Sequence, residues 1–279
     1  MKRSTRTELA KQTVEIVERG SYTTADGRVV DLASAVSACL TATRFYAPVD
    51  LARVRDDVLA RPAVGFATAF EVVNETTLAG IARVLADGRG PVAALNFASA
   101  KNPGGGFLNG SQAQEESLAR SSALYASLQR AWTFYERHRA SPSLLYSDAM
   151  ILSPGCPVFR DDNGSLLERP HAATFITSVA PNAGAAADNR PEETPLIPDV
   201  LHRRADLVLA LAASGGYKRL VLGAWGCGVF RNDPRVVATV FADHLRRGNW
   251  AGRFERVVFS VLDTSAASET YAAFELAMK

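Results

Sequence analysis

Short apolar runs that alternate with helix-like stretches constrain the fold of this chain more than any other feature. The runs are bounded by Gly, Pro or Asn and are Phe66–Val73, Val92–Ala98, Ala149–Ser153, Thr174–Val179, Leu220–Ala224 and Val257–Leu262. They are typical of strands buried on both faces of a sheet. The stretches between them have helical spacing and are Thr76–Leu85, Gln114–Leu128, Pro195–Ala213 and Pro234–Arg247, with a last helix over Ala266–Met278. The alternation predicts an α/β sandwich with a largely parallel or mixed sheet.

The chain is predicted to have two parts. Residues 1–62 are mainly helical, with a hairpin turn at Asp26–Gly27 and a second helix over Leu32–Thr43. We expect them to form an accessory segment packed on a single compact core of residues 63–279. Within the core, Pro181–Pro195 is rich in Ala, Gly, Asn and Pro, which predicts a long surface loop.

Composition excludes several classes of protein. The net charge is only +2, so we expect no direct DNA binding. The three cysteines lie far apart and the four histidines have no metal-ligand spacing, so neither a disulfide scaffold nor a metal site is predicted. The cysteine usage favours a cytoplasmic location. The longest apolar run, Leu207–Ala213, is far shorter than the roughly 20 residues that cross a membrane.

The loop after the strand Val92–Ala98 combines three glycines with two carboxylates. Gly104–Gly106 precede Gln114, Glu115 and Glu116, which open a helix. Acidic residues in a first helical turn also favour the helix dipole without any catalytic role. Glycines, however, let a ligand approach the backbone, and carboxylates repel phosphate but accept hydrogen bonds from sugar hydroxyls. The two glutamates point about 100° apart, so we expect one to orient ribose hydroxyls and the other to donate a proton.

A second glycine loop follows the strand Leu220–Ala224. Gly226, Cys227 and Gly228 are followed by Val229, Phe230 and a helix that begins at Asp233–Pro234. Backbone N–H groups in such a loop can hold a phosphate or diphosphate. The loop has neither the Walker A nor the Rossmann pattern. No histidine is near the cysteine in sequence, which indicates a buried thiol and not a nucleophile.

Together, the two loops fit a nucleoside diphosphate sugar, of which ADP-ribose is one. The spacing GGG…QEE resembles the signature of the poly(ADP-ribose) glycohydrolases, and the segments NFASAKNPGGG and GAWGCGVFRND are similar to the microbial form of that family. The resemblance covers Phe66 to Leu262. It implies a three-layer α/β/α macrodomain-like core with a mixed sheet, preceded by an N-terminal helical accessory segment.

The resemblance also implies a role for each loop residue. Glu116 would be the catalytic acid, Glu115 would hold ribose hydroxyls, and Gln114 would order the loop and the substrate. The second loop, from Gly226 to Phe230, would wrap the diphosphate, with the aromatic ring pressing on the reacting ribose. Where animal members carry an asparagine before the glycines, this chain has Ser99, so either Ser99 or Asn102 would take that role. The full set of expected substrate-binding residues is Gln114, Ser99, Asn102, Gly104, Gly105, Gly106, Gly226, Cys227, Gly228, Val229 and Phe230.

The resemblance implies that the enzyme needs no cofactor, takes poly(ADP-ribose) or an ADP-ribosylated protein as substrate, acts mainly at chain ends and releases ADP-ribose. Three alternatives remain open. A macrodomain hydrolase of mono-ADP-ribosylated protein or O-acetyl-ADP-ribose would use the same pocket, although those families lack the QEE sequence. A non-catalytic ADP-ribose-binding module would not need the adjacent glutamates. A generic nucleotide-binding α/β protein is disfavoured by the missing Walker and Rossmann patterns.

Overall fold

The computed structural model describes all 279 residues as nine strands and eleven α-helices. The strands are β1 (Ser21–Thr23), β2 (Val29–Asp31), β3 (Arg44–Tyr46), β4 (Ala69–Val73), β5 (Ala93–Phe97), β6 (Met150–Arg160), β7 (Leu166–Ser178), β8 (Arg219–Leu222) and β9 (Arg256–Ser260). The helices are α1 (Arg3–Arg19), α2 (Ala33–Ala42), α3 (Pro48–Leu59), α4 (Thr77–Leu85), α5 (Gln114–Ser121), α6 (Leu124–Arg130), α7 (Trp132–Ala140), α8 (Ala183–Asn189), α9 (Ile197–Ser214), α10 (Pro234–Ala242) and α11 (Glu269–Ala277).

Seven strands form one mixed sheet in the order β3-β6-β7-β5-β8-β9-β4. The neighbours from β7 to β4 all pair in parallel, whereas β3, β6 and β7 pair antiparallel. The carboxyl ends of the parallel strands therefore meet at one edge of the sheet, where α/β proteins bind ligands. The glycine loops that follow β5 and β8 lie side by side there, because those strands are neighbours.

Helices cover both faces of the sheet, so the fold is the three-layer α/β/α sandwich expected from the sequence. Strand β5 shows why its run is mainly apolar: Ala93 and Leu95 belong to the core cluster that includes α9 and α10, while Ala94 belongs to the cluster that includes α2, α4 and α6. A strand buried on both faces contributes side chains to both cores. No helix has the combination of length and apolar character that would let it span a lipid bilayer.

Helices α2 and α3 pack into the two core clusters, and β3 and α1 attach the N-terminal residues to the core as well. Strand β3 pairs antiparallel with β6 at the edge of the main sheet. Helix α1 packs so closely against Gly110 and Gly164 that neither position has room for a side chain. A Cβ on Gly110 would lie 2.5 Å from the carbonyl oxygen of Arg3, and one on Gly164 would lie 2.5 Å from Leu9. The division of the chain after residue 62 stays a prediction.

Several expected elements differ from the structure. The interpretation of Pro181–Pro195 as a long loop is wrong, because it contains α8 and part of a 3-10 helix over Pro191–Leu196. The helix expected over Gln114–Leu128 is interrupted at Ser122, which is extended and bridges to Val158. The one expected over Pro234–Arg247 ends as a π-helical turn. Helix α7 was not expected.

Candidate active site

A cavity of about 850 Å³ opens at the carboxyl edge of the parallel strands. Both glycine loops line it. Of the predicted site residues, the structure places these around the cavity: Ser99, Asn102, Gly105, Gly106, Gln114, Glu115, Glu116, Gly226, Cys227, Gly228, Val229 and Phe230. Gly104 does not line the cavity, and its role in binding stays a prediction. It packs inward, where a Cβ would meet Phe107 at 3.0 Å and Ala119 at 3.1 Å.

Gln114 fixes the start of α5 against the sheet. Its Oε1 accepts a hydrogen bond from the Phe97 N–H at 2.9 Å, and its Nε2 donates to the Leu95 carbonyl oxygen at 2.8 Å. The same amide nitrogen donates to Thr77 Oγ1 at 3.1 Å. The side chain thus uses both ends of its amide on the protein, which sets the position of the two glutamates that follow it.

Glu115 is buried in the wall of the cavity, with 3% of its surface exposed. Its Oε2 accepts the Ser99 N–H at 2.6 Å and its Oε1 accepts Asn96 Nδ2 at 3.2 Å. Burial raises the pKa of this carboxyl to about 8, and the hydrogen bonds only partly offset that effect. The nearby Glu116 adds to the rise. Glu115 is therefore largely protonated at neutral pH.

Glu116 lies at the cavity surface, held by the glycine loop. Its Oε1 accepts the Gly106 N–H at 3.0 Å, and no protein atom donates to its Oε2. The loop can approach this closely only because Gly105 has no side chain and adopts a φ of +58°. A Cβ there would lie 2.3 Å from Glu116 Oε1. One carboxylate oxygen is thus oriented by the backbone and the other is available to a ligand.

The second loop presents unpaired backbone donors to the cavity. The N–H groups of Gly226, Gly228, Val229 and Phe230 donate to no protein acceptor, a pattern suited to an anion. The loop is braced from behind by buried Asn232, whose Nδ2 donates to the carbonyl oxygens of Pro181 at 2.8 Å and of Gly226 at 3.1 Å. The donors are therefore held in place before any ligand arrives.

The structure shows the surroundings of two side chains of this loop, Cys227 and Phe230. Burial raises the pKa of the Cys227 thiol to about 12, so it is not a thiolate nucleophile at neutral pH. The Phe230 ring lies 6.1 Å from that of Tyr146, centroid to centroid, and lines the cavity. No three His, Cys, Asp or Glu side chains come together in an arrangement that could hold a metal ion.

Sequence reasoning missed several residues of the site. Behind Glu115, Asn96 also donates to Thr177 Oγ1 at 3.1 Å, and Asn96 Oδ1 and the Tyr135 hydroxyl are buried without a partner. A polar residue inside the apolar run Val92–Ala98 was the one available signal. The lining of the cavity also includes Glu75 and Thr76, which follow β4.

Comparison with known proteins agrees with this geometry. A family model described as the catalytic domain of microbial-type PARG matches residues 10–161, and PARG stands for poly(ADP-ribose) glycohydrolase. The chain belongs to the microbial-type PARG family. The match spans more than half of its length and contains the loop with both glutamates. No curated protein matches the chain.

Solved PARG structures resemble the chain over almost its whole length. Poly(ADP-ribose) glycohydrolase from Thermomonospora curvata is 50% identical, with a TM-score of 0.93, and the match covers 98% of this chain and 99% of that one. The same enzyme bound to the inhibitor ADP-HPD gives a TM-score of 0.91. The enzyme from Deinococcus radiodurans in complex with ADP-ribose is 47% identical, with a TM-score of 0.84, over 90% of this chain and 99% of that one. The macrodomain-like fold is therefore that of the family.

The raised pKa of Glu115 predicts how the stability of this PARG depends on pH. The folded state keeps the proton up to a pKa of about 8, whereas the unfolded chain loses it near 4.5. Between those values the unfolded chain binds fewer protons, so the free energy of unfolding falls as pH rises, by a few kcal/mol in all. Urea unfolding at a series of pH values measures this slope.

The matched variant is Glu115→Gln, which cannot ionise. As the pH rises from about 5 to 8, we expect the free energy of unfolding of wild type to fall steadily relative to that of the variant. A difference that stays constant over that range would show that Glu115 is ionised in the folded protein.

Proposed function

We propose that this protein hydrolyses the ribose–ribose O-glycosidic bonds of poly(ADP-ribose) and releases ADP-ribose, with Glu116 as the general acid and base. The observation that carries the proposal is the environment of Glu116. One of its oxygens is fixed by the Gly106 N–H and the other is free at the cavity surface, beside a loop of unpaired N–H donors. An acid next to a sugar site and an anion site matches the bond to be cleaved.

In the first step, Glu116 donates its proton to the oxygen that leaves the anomeric carbon of the terminal ribose. The bond between that carbon and that oxygen breaks, leaving a hydroxyl on the polymer and an oxocarbenium-like ribose. A water molecule then adds to the anomeric carbon, and the Glu116 carboxylate takes up the proton that this water loses. The products are ADP-ribose and a shortened polymer, and Glu116 is again protonated.

Other residues bind and orient the substrate. Glu115 sits beside the reacting ribose as a protonated carboxyl that can donate to a hydroxyl oxygen. Its Oε2 accepts the Ser99 N–H, while Ser99 Oγ accepts the Asn102 N–H at 3.2 Å, so these two residues shape the wall that faces the sugar. The loop from Gly226 to Phe230 binds the diphosphate through its free N–H groups. The preference for chain ends stays a prediction.

The test is release of free ADP-ribose from purified poly(ADP-ribose), followed by chromatography of the products. We expect the wild-type protein to release ADP-ribose as the main product. Tight binding of ADP-ribose without release from the polymer would overturn the proposal and favour a mono-ADP-ribose hydrolase or an ADP-ribose-binding module. Release from mono-ADP-ribosylated protein then separates those two.

A further inference from the structure

The lining of the catalytic cavity also includes a group of residues from outside the two glycine loops, and we call the part of the cavity that they line the groove. The groove is bounded by α1, by the end of α5 and by the tip of the β6–β7 hairpin. The lining residues that matter here are Arg6, Arg120, Arg160, Asp161 and Asp162. The mechanism proposed above uses none of these residues.

Three arginines in the groove bond only to neutral oxygens. Arg6 donates to the carbonyl oxygens of Gly110 and Met1. The Arg120 guanidinium donates to the Ser111 carbonyl and to the Gln112 and Ser117 side chains, and Arg160 donates to Thr13, Gln12 and the Gly164 carbonyl. Arg120 and Arg160 are 6% and 4% exposed. None of the three forms an ion pair with a carboxylate.

Buried guanidinium groups without a counter-ion are costly, because arginine keeps its charge in a protein. Burial lowers the pKa of both Arg120 and Arg160, and the carboxylates that favour their charge, Glu116 and Asp161, act from beyond ion-pair distance. Arg120 Nε and Arg6 Nη2 have no protein acceptor. An anion that enters the groove would satisfy these donors and compensate the charge.

Each carboxylate of the hairpin tip uses one oxygen for hydrogen bonds within the protein. Asp161 accepts the N–H groups of Asn163 at 2.9 Å and Ser165 at 2.8 Å, and Asp162 accepts the Thr76 hydroxyl at 2.6 Å. The other oxygen of each carboxylate is free to accept a hydrogen bond from a hydroxyl of a sugar that carries the anion. The groove therefore suits a sugar phosphate better than a bare phosphate.

The position of the groove next to Glu116 indicates which part of the substrate would supply the anion. Arg120 lies four residues after Glu116 on α5, which places both side chains on one face of the helix. The groove thus begins where the leaving oxygen must be protonated. We propose that it binds the ADP-ribose unit on the leaving side of the scissile bond, with Arg6 and Arg120 facing its diphosphate. This inference rests on the proposed function and extends it to a second subsite.

The test compares two variants of α1 on two substrates. Arg6→Ala removes a groove residue. Arg3→Ala is the matched control, because Arg3 also donates from α1 to this loop, through Nε to the Asn109 carbonyl at 2.9 Å, but does not line the cavity. The substrates are poly(ADP-ribose) and an ADP-ribose conjugate with a small aryl alcohol as leaving group, which cannot reach the groove.

We expect Arg6→Ala to raise KM for the polymer about five- to tenfold and to leave the aryl conjugate unchanged. Arg6→Lys should restore part of the loss, and Arg3→Ala should resemble wild type on both substrates. Equal losses on both substrates, or no loss on the polymer, would overturn the subsite. The proposed function fails separately, if the wild type itself releases nothing from the polymer.

Discussion

Glu116→Gln is expected to lower kcat for release of ADP-ribose from poly(ADP-ribose) by about 10²–10⁴-fold, the usual contribution of a general acid. The amide has the same shape and can still accept the Gly106 N–H, so the loop should keep its conformation. It cannot supply a proton to the leaving oxygen, nor take one from the attacking water. Chromatography of free ADP-ribose under single-turnover conditions measures this loss directly.

The affinity of Glu116→Gln for ADP-ribose shows whether the variant has lost only the catalytic step or also the binding site. We expect calorimetry to give an ADP-ribose affinity for Glu116→Gln close to that of wild type, because the unpaired N–H donors of the second loop are untouched. The matched control is Glu136→Gln, a change at an exposed glutamate of α7 outside the cavity, which should leave both activity and affinity unchanged. If the activity of Glu116→Gln were within a few-fold of that of wild type, Glu116 would not be the catalytic acid.

The sheet could be predicted because its strands carry their own signal. A strand buried on both faces, such as β5, must be mainly apolar, so it stands out in the sequence. Strand β3 has no such signal, since its three residues lie at the sheet edge and are held by pairing with β6. The missed helix α8 did have a local signal. Asn182 caps it by accepting the Ala185 N–H at 3.0 Å, but the composition of the segment suggested a loop.

The centre of the site could be predicted for a similar reason. The two glycine loops suit the two parts of one ligand, so they were expected to share it, and the pairing of β5 with β8 places them side by side. The contacts that depend on tertiary packing were not predictable. Tyr135 reaches the space behind Glu115 from α7, and Arg6 reaches the cavity from α1, more than a hundred residues from the loop it contacts. No local pattern marks either residue.

Gly105→Ala is expected to abolish most activity, by about 10²-fold or more, with only a modest loss of stability. The new Cβ would lie 2.3 Å from Glu116 Oε1, and the end of the glutamate side chain is what must move. Movement breaks the bond from the Gly106 N–H and takes the acid away from the leaving oxygen. Initial rates on poly(ADP-ribose), together with urea unfolding, measure the two effects separately.

Gly216→Ala is the control that measures how much stability is lost when alanine replaces a glycine of positive φ without any steric contact. Gly216 also has a positive φ, +74°, but a Cβ there would have no atom within 4 Å and the residue is far from the cavity. Both variants should lose roughly 1 kcal/mol of stability from the left-handed conformation, whereas only Gly105→Ala should lose activity. Full activity in Gly105→Ala would mean that Glu116 works from another position, and the bond from the Gly106 N–H would then not define the acid. The pair of glycines thus tests whether the loop positions the acid or only permits the turn.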